Sequence, residues 1–328
     1  MSEKAEPTKS LARLVKKEII TQKISSDCCR RAFLAAVSRG AGSFYINSDD
    51  YGVTVSAADH ELIQKCVSFV RHFTSTEPVV KLHTYTNKLG PDELYEFDLK
   101  HSDGVLDKLV SLGILPRASE LDAPSPQFII EKNCCKIAYL MGAFVASGTL
   151  SVPKDDEHSR SSGYYMGFNC SSESGAKFLS ELIGGFGTEP KFRKRGEVYS
   201  VYFKDAESIS DMLTRMHAVT GMLELQNIIL MRQLKNNSNR YSNCEAANIS
   251  KTVNAALKQI EAIEKLKSAG VLETLDDTLK KTACLRLDNP DATLKELGEL
   301  LPGHPNRGAV NHRLSRLVAL AEELKDKN

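Results

Sequence analysis

The sequence predicts an α+β fold in which an αββαββα unit occurs twice and is followed by an all-α segment ending in a helix-turn-helix. Three observations predict it. Cys28–Ile46 aligns on Cys134–Val152 at an offset of 106, pairing Cys with Cys twice, Arg30 with Lys136, Phe33 with Tyr139, Leu34 with Leu140 and Gly42 with Gly148. The duplication continues in Thr76-Glu77-Pro78 and Thr188-Glu189-Pro190, now at an offset of 112 because a charged loop, Lys154–Gly163, lengthens the second copy. From Leu223 onward, β-branched alternation gives way to helical periodicity.

In chain order, Leu11–Ile20 reads as a short basic helix placed to pack on the first copy. Each copy then opens on a helix of small residues that ends at a Gly. Two short apolar strands follow, Ser43–Asn47 and Val53–Ser56, or Thr149–Val152 and Tyr165–Asn169. The next helix shows one apolar face, Leu62, Ile63, Val67 and Val70, answered by Phe178, Leu179, Leu182 and Ile183. A hairpin comes after it, Val79–Tyr85 with Leu94–Leu99, or Lys191–Arg195 with Val198–Phe203 turned at Arg195-Gly196-Glu197. Helices over Asp103–Leu112 and Ala206–His217 close the two units. Pro116–Pro126 punctuates the chain between them. The expected division is a domain over 1–222, with copies at 28–115 and 134–221 and a linker at 116–133, and a second domain over 223–328.

In the second domain, Asn236-Asn237-Ser238-Asn239 predicts a helix break, and Ile249–Ala269 an amphipathic helix with Val253, Leu257, Ile260 and Ile263 or Leu266 inward. Asn243–Asn248 reads as a helix cap joining the two halves or as a docking element. Asp276–Leu287 is helical, Asp288-Asn289-Pro290 stops it, and Thr293-Leu294-Lys295-Glu296 is a capping-box signature opening a helix to Leu301. After the turn Pro302-Gly303-His304-Pro305, Asn306 caps a third helix. Val310, Leu314 and Leu317 fall inward on it, leaving Arg307, Asn311, His312, Arg313 and Arg316 outward. These are the residue types that reach base edges and phosphates from a recognition helix, so double-stranded DNA is the expected partner.

Composition sets the bounds. At 328 residues the chain accommodates two or three domains with substantial cores. A formal net charge of +1 excludes a global attraction to nucleic acid or anionic membrane, so charge acts locally. Residues 226–328 carry 16 basic against 13 acidic side chains, and residues 1–225 carry 27 against 29. No apolar run reaches the ~20 residues of a membrane span, and Met1–Lys9 lacks the apolar core of a signal peptide; a cytoplasmic chain without membrane partner is expected. In a reducing compartment the eight Cys are expected as free thiols, with Cys66, Cys170, Cys244 and Cys284 buried. The vicinal pairs Cys28-Cys29 and Cys134-Cys135 lack zinc-knuckle spacing, and neighbours on a helix diverge by about 100°, so neither metal nor cofactor is expected.

The small-residue helices carry the sharper signal. Ala36, Gly40 and Gly42 in one, and Gly142, Ala146 and Gly148 in the other, permit close approach of twin helices. The stretches Ala32–Ser43 and Ala138–Thr149 resemble the central helices of LAGLIDADG homing endonucleases. That resemblance covers Cys28 to about Gly221 and implies a pseudo-twofold saddle of strands whose concave face lies on a duplex. It also implies a metal-holding carboxylate just before each final Gly. Those positions are Ala41 and Ser147 here, so no catalytic residue and no enzymatic activity are expected. Asp49, Asp50, Asp155 and Asp156 lie on nearby loops, several residues from the helix ends. Alternation puts Lys191, Arg193 and Arg195 on one strand face as phosphate contacts, with Lys81, His83 and Tyr85 as the first copy's counterpart. The rival readings are a metal-dependent endonuclease of this type and an RNA-binding, maturase-like protein.

Nearly the whole chain resembles one bacterial family, WhiA. The resemblance rests on Cys28–Leu34, Cys134–Phe144, Asn239–Asn248, Lys251-Thr252, Gln259–Glu264, Leu294–Leu301 and Val310–Leu314. It implies a sequence-specific transcription regulator of sporulation or cell-division genes that acts on promoters at the nucleoid. A second transcription factor or RNA polymerase is its implied protein partner.

Overall fold

The computed structural model describes residues 10–46, 51–87, 90–153 and 163–324. They form two compact units, Met1–Met231 and Arg232–Asn328.

The first unit opens with α1 (Leu11–Thr21), whose N-terminus is capped by the Ser10 hydroxyl accepting from the Arg13 amide. The first copy follows as α2 (Asp27–Ala41), β1 (Gly42–Ile46), β2 (Tyr51–Ala57), α3 (His60–Thr74), β3 (Val80–Asn87), β4 (Gly90–Lys100) and α4 (Val105–Ser111). The second repeats the order as α5 (Asn133–Ser147), β5 (Gly148–Ser151), β6 (Tyr165–Cys170), α6 (Glu173–Gly184), β7 (Lys191–Arg195), β8 (Val198–Phe203) and α7 (Ala206–Arg215). Each copy builds a four-stranded antiparallel sheet, ordered β1-β2-β4-β3 and β5-β6-β8-β7. Period-two alternation buries one face of each. Val53 and Val55 oppose Leu99 and Phe97, Met166 and Phe168 oppose Phe203 and Val201, and all eight are buried. The strand bounds follow from pairing. β4 begins at Gly90 rather than at the expected Leu94 because β3 pairs with it along its whole length.

The sheets are held together through the twin helices. α2 and α5 bury nearly all their apolar side chains, Phe33, Leu34 and Val37 from one and Tyr139, Leu140 and Phe144 from the other. Their seam is close because it is made of small residues. A Cβ at Gly142 would collide with the Phe33 carbonyl oxygen and lie 3.0 Å from Ala36 Cβ, and one at Gly40 would lie 2.9 Å from Ala146 Cβ.

Two segments are tied down more firmly than their sequence suggests. Residues 116–133 contain 3₁₀ turns at Ala118–Glu120 and Gln127–Ile130, bury Ile129 and Ile130, and place the Ser125 hydroxyl 3.0 Å from that of Tyr139. α1 packs on α3 of the first copy, as expected, and also on α5 and β5 of the second. Its Glu18 carboxylate accepts from the Thr220 and Gly221 amides at 2.8 and 2.9 Å, supplying the acceptors that the next helix needs at its start.

That helix, α8 (Val219–Ser268), runs unbroken through Asn236–Asn239, which corrects the expected break, and it absorbs Asn243–Asn248 mid-helix instead of ending there. Asn and Ser cost only about 0.5 kcal/mol each, and with no Gly or Pro nearby the cooperative helix propagates across them. Its inward face also starts later than expected. In the stretch from Ile249 onward, Val253 and Leu257 are exposed, and burial begins at Gln259, Ala262, Ile263 and Leu266.

Those last turns pack on α9 (Asp277–Asp288), α10 (Leu294–Leu300) and α11 (Arg307–Glu323) to form the core of the second unit. The capping box is complete. Thr293 Oγ1 accepts from the Glu296 amide while the Glu296 carboxylate accepts from the Thr293 amide at 2.7 Å. Asn306 caps α11 through the Ala309 amide at 2.9 Å, and Val310, Leu314 and Leu317 are fully buried. Buried Arg286 donates from Nη1 to the Ala292 and Pro290 carbonyls at 2.7 and 3.3 Å, holding the turn ahead of α10.

Candidate nucleic-acid interface

Helical rotation decides what α11 shows to solvent. Arg307, Asn311, His312 and Arg316 are exposed on its outward arc. Arg313 is half-buried at the edge of that arc, which corrects its assignment as an outward residue. It follows Val310 by three positions and so lies only about 60° from that core side chain. Arg307 and Asn311 also face a groove of about 560 Å³ shared with Lys251 and Thr252 of α8, Thr293 at the α10 cap and Lys295. Sequence spacing does not single out the basic pair Lys251 and Lys295. Each stands on a different helix, and only the packing of α8 against α10 and α11 brings them beside the recognition helix.

In the first unit, the second sheet presents the basic stripe. Its core face is taken by Met166, Phe168, Val201 and Phe203, so pairing register puts Lys191, Arg193 and Arg195 on the opposite face with Ser200, Tyr202, Tyr165 and Asn169. Every residue of β7 is exposed. Arg193 stacks its guanidinium 5.5 Å from the Tyr202 ring centre, and Tyr202 stacks on Tyr165 at 5.5 Å. Among the described residues, no carboxylate lies within ion-pair distance of Lys191, Arg193 or Arg195.

The equivalent face of the first sheet is neutralised from within. Lys81 Nζ sits 2.5 Å from Asp98 Oδ2, and His83 Nε2 sits 2.7 Å from Glu96 Oε1. Burial works against the Asp98 charge, yet the Lys81 and Thr54 hydrogen bonds outweigh it and hold the carboxyl below its ordinary value. Lys81, His83 and Tyr85 therefore share a face as alternation predicts, but two of the three are already engaged by acids of β4. The acids lie 13 and 17 residues further along, where a reading of β3 alone does not look.

Where the twin helices end, the chain has Ala41 and Ser147. A cavity of about 180 Å³ opens beside them, lined by Ser38, Arg39, Gly40, Tyr139, Ser147 and Asn169 among others, with Asp122 the single carboxylate among the described lining residues. Ser147 Oγ donates back to the Ala143 carbonyl at 3.3 Å, and Arg39 Nη1 donates to the Ala123 carbonyl. The cavity lining thus carries a guanidinium near the helix ends, and its positive charge works against a cation bound in the same cavity. Asp49, Asp50, Asp155 and Asp156 lie outside the described residues.

The cysteines require a correction of another kind. Cys244 and Cys284 are exposed and Cys170 is half-buried, leaving Cys66 as the one buried thiol of those four. Burial pushes the Cys66 thiol up to about 12. The vicinal pairs do diverge along each helix, but the helices are twins. Cys28 and Cys29 of α2 meet Cys134 and Cys135 of α5, and all four sulfur atoms lie within 4.8 Å of one another. The premise that set the metal aside, divergence on a single helix, does not survive the pairing. Among the described residues this is the one convergence of three or more His, Cys, Asp or Glu side chains.

Comparison with known proteins bears on both units. Residues 136–235 match the family description WhiA LAGLIDADG-like domain, and residues 238–321 match WhiA C-terminal HTH domain. A probable cell division protein WhiA of Clostridium botulinum is 35% identical over 301 residues, spanning 90% of this chain and 92% of that protein. The chain belongs to the WhiA family. A second WhiA relative named as a probable cell division protein, from Caldicellulosiruptor saccharolyticus, is 30% identical over 319 residues and is covered to 96%, as is this chain. The crystal structure of full-length WhiA from Thermotoga maritima superposes with a TM-score of 0.55 at 18% identity, covering 96% of this chain and 99% of that one, and so shares the fold. The WhiA fold is thus the α+β architecture expected, a LAGLIDADG-like body with a helical helix-turn-helix unit. Among the described residues no helix is long and apolar enough to cross a membrane.

Proposed function

We propose that this WhiA-family chain is a non-enzymatic, sequence-specific regulator that binds promoter DNA of cell-division or sporulation genes. It works at the nucleoid in the cytoplasm, with a second transcription factor or RNA polymerase as protein partner. The observation that carries the reading is the outward arc of α11, where Arg307, Asn311, His312 and Arg316 stand exposed on a helix capped by Asn306 and fixed by a fully buried apolar stripe. An Arg and an Asn on such an arc match the bidentate donors and acceptors that guanine and adenine present in the major groove. Chromatin immunoprecipitation with sequencing tests it: a shared sequence motif under the peaks, lost in a chain lacking α11, is the expected result. Uniform genome coverage would sink it.

The LAGLIDADG-like body supplies a second, sequence-independent grip through Lys191, Arg193 and Arg195. Lys191→Glu combined with Arg193→Glu is expected to make the salt dependence of DNA binding shallower by about 2 in log–log slope. An unchanged slope in a fluorescence anisotropy titration assigns that face to a protein partner.

Cleavage is not part of this reading, because Ala41 and Ser147 offer no carboxylate at the helix ends and Arg39 puts a cation beside them. Supercoiled plasmid incubated with the pure chain and Mg²⁺ is expected to stay intact. Metal-dependent nicking abolished by Asp49→Asn or Asp155→Asn would restore the endonuclease, and stronger binding to structured RNA than to promoter duplex would favour the maturase-like reading.

A further inference from the structure

The structure assigns a second role to the twin helices: Cys28, Cys29, Cys134 and Cys135 form a mononuclear tetrathiolate site for a thiophilic divalent cation of the zinc class, stapling the two copies at the N-terminal end of their seam.

Geometry carries the assignment. A tetrahedral zinc–thiolate centre has bonds of about 2.3 Å, which sets its sulfur–sulfur edges near ~3.8 Å. Here Cys134 Sγ and Cys135 Sγ are 3.9 Å apart, and every pair among the four sulfurs lies within 4.8 Å. Small rotamer adjustments close that difference. An iron–sulfur cluster interposes several iron atoms between its thiolates and needs a wider cage. A disulfide uses two sulfurs and leaves the other pair without a reason to converge.

Two helix starts and one outside donor surround the four sulfurs. Both cysteine pairs occupy the first turn of their helix, α2 starting at Asp27 and α5 at Asn133. Neither N-terminus has a side-chain cap, and the positive ends of two helix dipoles lie beside the sulfurs. Ser26 Oγ donates to Cys29 Sγ at 3.6 Å, a hydrogen bond from outside the ligand set that orients one donor. Cys29 and Cys135 are buried while Cys134 is exposed and Cys28 half-buried, which gives a dry site with one open side for entry.

The arrangement also has a logic along the helix pair. The 15 residues of α2 put this cluster about 20 Å from Ala41. The resemblance would hold cations at the C-terminal ends of these helices, where the chain lacks ligands; its thiolates gather at the other end. Because a preformed tetrathiolate exists only when both copies are folded and docked, metal binding here is linked to folding of the body.

Metal analysis of the full-length chain, purified under reducing conditions from zinc-supplemented cells, tests the site. About one zinc per chain is expected. Cobalt titrated into the chelator-stripped chain is expected to give the strong ligand-field bands of tetrahedral thiolate coordination, saturating at one equivalent. Cys28→Ser with Cys134→Ser, the two more accessible ligands, is expected to lose both signals while circular dichroism keeps the helical content. Cys244→Ser with Cys284→Ser is expected to change neither. Zinc below a tenth of an equivalent together with a silent cobalt titration of the reduced wild type would overturn the site. So would full metal retention in the first double variant, or the discovery that these four thiols are oxidised to disulfides in the freshly isolated protein. The wild-type titration decides the matter even if a serine variant fails to fold, and none of these readouts depends on DNA binding.

Discussion

Combining Arg307→Ala, Asn311→Ala and Arg316→Ala is expected to abolish promoter-specific binding while leaving the fold intact. All three side chains are exposed, and none contributes to the core formed by Val310, Leu314 and Leu317. A residue that reads a base edge is worth about 1–3 kcal/mol, so the triple variant is expected to lose at least about a hundredfold in specific affinity and to retain the weaker non-specific binding. Anisotropy titrations of specific and scrambled duplexes at fixed salt measure both. Arg313→Ala is the internal comparison. Being half-buried at the edge of the arc, it is expected to cost less specificity than Asn311→Ala. Equal affinity of the triple variant and wild type for the specific duplex would move recognition off α11, with the Lys251 and Lys295 groove as the next place to look.

The other large effect is expected in the seam. Gly142→Leu is expected to destabilise the body by about 3 kcal/mol or more, because even the first carbon of the new side chain meets the Phe33 backbone carbonyl and the Ala36 methyl. Backbone cannot swing aside as a side-chain tip can, so α2 and α5 would have to separate and expose Leu34, Leu140 and Phe144. Gly142→Ala is expected to show the same effect at smaller size. Denaturant unfolding followed by circular dichroism measures it, and wild-type stability of Gly142→Leu would mean the helices are not packed as described.

The seam was legible in the sequence because close helix packing needs small residues at helical spacing and the duplication shows that pattern twice. The capping box at Thr293 and the inward stripe on α11 were legible for the same reason. They depend on residues three to seven positions apart, within one element, and the structure reproduces them residue for residue. The unbroken α8 was not. Its Asn-rich run has weak helix propensity, and local preference alone misses the cooperativity that carries a helix across it. The neutralised stripe of the first sheet was hidden because Lys81 and His83 find Asp98 and Glu96 through the fold of a hairpin, and spacing along one strand carries no trace of the partner strand's charge.

The sequence by itself determined the duplicated architecture, the missing carboxylates at positions 41 and 147, the helix-turn-helix and the family, since each is written in residues that are near neighbours or exact repeats. Only the tertiary structure decided which basic residues the described acids engage, that Arg313 is partly withdrawn, and that four cysteines separated by more than a hundred positions share one point in space. Those outcomes belong to distances between elements. Pairing two helices about a twofold turns a divergence on each into a convergence between them.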